Sequence, residues 1–182
     1  MHHDAFTAGV KPGGLIHASD IKLLLCYLLS GVDGSISKAD LNEIMQAERL
    51  ANYFEVNDAL ISLVSLGNVT EHDGLYEITD QGKAAAQVLN DDLPLTVRDA
   101  AVRAAIRILS RRRNERENKV EIKQTETDFF ITCSVMDGET PLLSVTLRVA
   151  DRLQADKIKE QFLNDPEALY KGNLSLLTGD RI

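Results

Sequence analysis

Residues 53–78 read YFEVNDALISLVSLGNVTEHDGLYEI, and this stretch decides the architecture. At 100° per residue, Val56, Ala59, Leu60 and Leu63 fall on one side of a helix over Tyr53–Leu66, flanked by Val64 and Leu66. The other side carries Glu55, Asp58, Ile61, Ser62 and Ser65. Gly67-Asn68 stops the helix. Val69-Thr70-Glu71 and Leu75-Tyr76-Glu77-Ile78 then flank His72-Asp73-Gly74, and an Asp-Gly pair between β-prone runs predicts a hairpin.

Working outward, Ser19 or Asp20 can cap a helix over Ile21–Leu29, with Ile21, Leu24, Leu25, Leu28 and Leu29 facing inward. Gly31 and Asp33-Gly34 end it. Ser37-Lys38-Ala39-Asp40 is a capping box with Asp in place of Glu or Gln, and it opens a second helix that buries Leu41, Ile44 and Met45. After the hairpin, Thr79 caps a helix from Asp80 to about Leu89. Three helices and a hairpin in this order predict a winged helix-turn-helix over residues 15–92, behind a flexible leader of residues 1–14 rich in Gly and lacking periodicity.

Two motifs carry a resemblance. Ile78-Thr79-Asp80-Gln81-Gly82, after Tyr76, resembles the strand-into-helix junction of winged-helix bacterial regulators. Asn52-Tyr53-Phe54, followed by Ala59-Leu60 and Gly67, is similar to an uncharacterised bacterial family of about this length that joins a winged helix to a small α+β tail. The likeness spans about residues 15–178. It implies a fold and a regulatory role, with no assigned activity.

Residues 93–117 predict a bridging basic helix. Val102, Ala105, Ile106 and Leu109 share one face, and Arg103, Arg107 and Arg111 line the opposite one. Residues 118–182 predict a small α+β domain. Its strands are Val120–Thr125, Phe129–Met136 and Leu142–Val149, an antiparallel sheet with one buried face. Helices opened by Asp151 and by Pro166 follow. The fold class is therefore α+β: a winged helix, a bridging helix, and a three-stranded sheet with two helices.

The chain of 182 residues is 44% apolar and 26% charged, with net charge −8, as in ordinary globular proteins. No run approaches the ~20 apolar residues of a membrane span, and no signal peptide is expected, so a cytoplasmic protein with no membrane partner is anticipated. The two cysteines, Cys26 and Cys133, read as reduced core residues. Charge is unevenly spread. Residues 1–92 carry five basic against fourteen acidic residues, a net of −9, whereas residues 98–123 carry nine against four, a net of +5.

Catalytic motifs are lacking. Of the four histidines, His2, His3 and His17 sit near the leader, and His72 lies at the hairpin. There is no HExxH, CxxC, phosphate loop or nucleophile elbow, so no cofactor, metal or enzymatic activity is expected. A helix-turn-helix reads duplex DNA through the outward face of its second helix while cations neutralise phosphates. Here that face carries Glu55 and Asp58 and no cation. Anchors available for double-stranded DNA are Lys38, Arg49, Asn52, Tyr53, Asn57 and His72, with Arg103, Arg107, Arg111, Arg112 and Arg113 on the bridging helix. Two readings result. One is a homodimeric DNA-binding regulator whose C-terminal module pairs subunits or senses a ligand. The other is a winged helix that contacts a protein partner and not DNA.

Overall fold

In the computed structural model, residue 6, residues 8–88 and residues 92–179 are described. The chain is mixed α+β, with seven helices and two three-stranded antiparallel sheets among those residues. It divides into two compact units, residues 1–108 and 109–182. The division falls inside the bridging helix rather than at either end.

The first unit runs α1 (Ala18–Ser30), β1 (Ile36–Ser37), α2 (Lys38–Ala47), α3 (Tyr53–Ser65), β2 (Val69–His72), β3 (Leu75–Ile78) and α4 (Asp80–Val88), then the first part of α5 (Leu95–Glu117). Leu89, the expected end of α4, lies outside the described residues. The sheet order is β1-β3-β2. Ser37 caps α2: its hydroxyl accepts from Asp40 N at 3.0 Å and donates to Asp40 Oδ2 at 2.7 Å. The Ser37 half of the capping box is formed, and the Asp40 carboxylate accepts from the Ser37 hydroxyl. Asn52 caps α3 by accepting from Phe54 N. The hairpin turns on Asp73 (φ 53°) and Gly74 (φ 77°), two successive left-handed residues of the kind that fit the twist of paired strands. Lys38 N donates to the Gly74 carbonyl, tying the start of α2 to this turn. Ile21, Leu24, Leu25, Leu29, Leu41, Ile44, Met45, Leu60 and Leu63 fill the core.

Three details depart from the sequence reading. α1 begins at Ala18, with His17 as its cap residue and no side-chain cap bond, so Asp20 lies in the first turn. The described part of the leader is held to the loop after α2. Lys11 N and Leu15 N donate to the carbonyls of Arg49 and Leu50, and Asn52 Nδ2 donates to Ala8 O. Composition gives no sign of this, because on the leader's side the contacts are made chiefly by backbone groups. In α5 the buried residues are Val97, Ala100, Ala101, Ala104, Ala105 and Ile108, while Ile106 is 62% exposed. A stripe of small alanines packs as well as a stripe of larger residues, and hydrophobicity alone ranks it lower. α5 also continues through the arginine run, where Arg111 and Arg112 bridge to Glu115 and Arg113 to Glu117 on the same helix.

The second unit holds the end of α5, then β4 (Lys119–Gln124), β5 (Phe129–Asp137), β6 (Thr140–Val149), α6 (Arg152–Asn164) and α7 (Pro166–Thr178), with sheet order β4-β5-β6. Alternation along β5 buries Ile131, Cys133 and Val135, which join Val149, Ala155, Phe162 and Leu163 in one core. The other face of the sheet is polar, with hydroxyl pairs Thr132–Thr146 at 2.9 Å and Ser134–Ser144 at 2.8 Å. Asp151 caps α6, and Asp165 caps α7 ahead of Pro166.

Gly82 is required by close approach, since a Cβ there would collide with the Asn68 carbonyl oxygen. Gly82→Ala is expected to destabilise the protein by about 2 kcal/mol in urea unfolding, and a change within experimental error would contradict this packing.

Candidate interaction surface

α3 is oriented by the side it buries. Val56, Ala59, Leu60 and Leu63 enter the core, so the helix projects the reverse side outward. That side carries Phe54, 66% exposed, and Ile61, 64% exposed, beside the exposed Asp58, Val64 and Ser65. Tyr53 is exposed at the start of the helix and meets the Phe54 ring edge-on, with centroids 5.6 Å apart. No lysine or arginine occurs anywhere in α3. Glu55 is half-buried and accepts from Phe6 N at 2.7 Å.

The helical projection shows Asp58, Ile61 and Ser65 facing outward, as the sequence reading has it. It also places Phe54 within 40° of Asp58 and Ile61, a signal present in the spacing, yet the sequence reading of that face leaves Phe54 out. The face is thus more apolar than its charges alone suggest. Exposed contiguous apolar surface with few charges is the composition of protein contact sites.

The candidate DNA anchors divide into groups. Arg49 donates from Nε to the Gly9 carbonyl at 3.1 Å. The Asn52 amide is used by the α3 cap and by Ala8. Asn57 donates to Tyr53 O and accepts from Asn42 Nδ2. These three side chains hold the unit together. Lys38 and Tyr53 line a wide concavity of about 820 Å³ with Asn42, Glu43 and Gln46 on the outer side of α2. His72 is exposed at the hairpin, paired across the strands with Leu75 and next to Asp73. On α5, Arg103 and Arg107 are exposed in the first unit. Arg111, Arg112 and Arg113 lie in the second and bridge to glutamates of their own helix.

Electrostatics elsewhere are structural. The Arg148 guanidinium, 2.8 Å away, and a Thr127 hydroxyl hold the Asp128 carboxyl below its ordinary range. Burial, with the Glu71 charge adding to it, raises the Tyr76 hydroxyl. Burial pushes the Cys26 thiol up to about 11 and raises that of Cys133. A buried thiol with a raised pKa is a poor nucleophile and a poor metal ligand. Among the described residues no group of three or more His, Cys, Asp or Glu side chains is placed to hold a metal ion. His2 and His3 lie outside the described residues. No described helix is long and apolar enough to cross a membrane.

Both thiols are expected to resist alkylation at pH 8 in the native protein and to react fully once it is unfolded. Reaction of either at the rate of a small free thiol would contradict their burial.

No curated protein and no solved structure matches the chain. The model of a family described as a domain of unknown function (DUF4364) matches residues 21–177, and the chain belongs to that family.

Proposed function

We propose that residues 15–92 form a winged helix that works through protein contact, with the outward face of α3 as the contact. The observation that carries this reading is the composition of that face. Phe54 and Ile61 stand beside Asp58, and α3 has no cation. A helix inserted into the major groove lies between two phosphate backbones, and its affinity comes chiefly from Lys and Arg that neutralise them. A carboxylate there is repelled. On a protein partner the same face supplies an aromatic anchor, an aliphatic anchor and a charge at their edge. The element order α1-β1-α2-α3-β2-β3 and the sheet order β1-β3-β2 support the winged-helix assignment.

A second reading is favoured by Arg103 and Arg107, which are exposed and form no ion pair among the described residues. In it, a homodimeric regulator in the cytoplasm touches DNA phosphates through α5, while the second unit pairs subunits.

Fluorescence anisotropy with a mixed-sequence duplex separates the two. The protein-contact reading expects no binding at low salt with the fold intact. Affinity that falls steeply as salt rises, and is lost in Arg103→Glu/Arg107→Glu, would overturn it. The exposed side chains serve contact and not folding, so Phe54→Ser and Ile61→Ser are each expected to shift unfolding free energy by less than about 0.5 kcal/mol. A loss of several times that amount would make these residues part of the core.

A further inference from the structure

A cavity of about 360 Å³ lies within the second unit, between the sheet and its two helices. Cys133 and Val145 form its floor together with Leu147, which is 45% exposed and leaves one end open to solvent. Ile158 and Phe162 of α6 make one wall, and Leu169 of α7 the other. Packed interiors seldom keep a void much larger than one water, whereas sites for small molecules begin at about 300 Å³. The volume falls within the range of small-molecule sites, and the trough is open to solvent at one end.

The lining also specifies the head of the occupant. Among the described residues, Asp165 is the one charged residue around the cavity, and no cation lines it. Asp165 Oδ1 accepts from Ala168 N at 3.0 Å as the cap of α7, and Oδ2 accepts no hydrogen bond among the described residues. The nearby Lys171 ammonium is held by Glu167 at 2.6 Å. Gln161 adds a neutral amide at the edge. A carboxylate or phosphate head would meet the Asp165 charge, which is offset only in part by the Lys171 ammonium that Glu167 holds. An ammonium meets the exposed Asp165 carboxylate at the edge of an apolar trough.

We propose that this cavity binds a small apolar molecule with a primary amine head, its tail between Val145, Ile158 and Leu169 and its ammonium on Asp165. The site uses no residue of α3, so the two readings can fail independently.

The test uses the full-length protein, methyl-labelled for NMR, and three probes of one shape: 4-phenylbutylamine, 4-phenylbutanol and 4-phenylbutanoate. The amine is expected to shift the methyls of Val145, Leu147, Ile158 and Leu169 saturably, and to bind about three- to fivefold tighter than the alcohol, as a partly exposed ion pair allows. The carboxylate is expected to bind weakest. Asp165→Asn keeps a good helix cap, so it is expected to fold normally and to remove the amine's advantage over the alcohol. Val145→Phe fills the space and is expected to abolish binding of all three. The proposal is overturned if no probe moves these methyls, or if 4-phenylbutanoate binds as tightly as the amine. It is equally overturned if the same methyls are masked by dimerisation of the protein alone, which would make the cavity part of a subunit contact.

Discussion

The structure around α3 depends on a clasp at one point of the chain. Asn68 N donates to the Leu63 carbonyl at the end of α3, and Asn68 O accepts from Thr79 N at the base of the hairpin. The Thr79 hydroxyl donates toward the Gly67 and Asn68 carbonyls and accepts from Gly82 N in the first turn of α4. One residue pair therefore closes α3, aligns β2 with β3 and starts α4. Both ends of α3 are bonded, by Asn52 at the front and this clasp at the back, which orients the helix. Which residues it shows to solvent is then set by the four it buries.

That constraint turns a charge argument into a functional one. Acidic residues on a mobile helix say little, since most surface charges are merely solvated. Acidic and apolar residues on a helix bonded at both ends define a surface of fixed composition. The basic counterpart sits in α5, and three of its arginines are already engaged with glutamates one turn away. Such pairs stabilise an exposed helix modestly and leave Arg103, Arg107 and Arg116 as its exposed cations without an ion pair among the described residues.

Much of this was legible in the sequence, for reasons that differ from element to element. The α3 stripe, the Asp-Gly hairpin and the alternation along β5 are strong signals because each couples a period to a stop. The Ser37, Asp151 and Pro166 helix starts were equally plain. The inward face of α5 was not, because alanine is small enough to pack closely and too weakly hydrophobic to mark a face. The attachment of residues 8–14 leaves no pattern in the sequence, since it joins main-chain groups of the leader to scattered partners, the side chains of Arg49 and Asn52 among them. The exposure of Phe54 follows from the spacing that puts it on the side of Asp58 and Ile61, although its hydrophobicity alone points to the core.

The central claim is that the outward face of α3 meets protein and not nucleic acid. Amide chemical-shift mapping of the full-length protein with a mixed-sequence duplex at low ionic strength tests it most directly. The account predicts unchanged amides from Tyr53 to Ser65 and along α5 alike. Saturable shifts centred on Phe54, Asp58 and Ile61 that vanish on adding salt would contradict it.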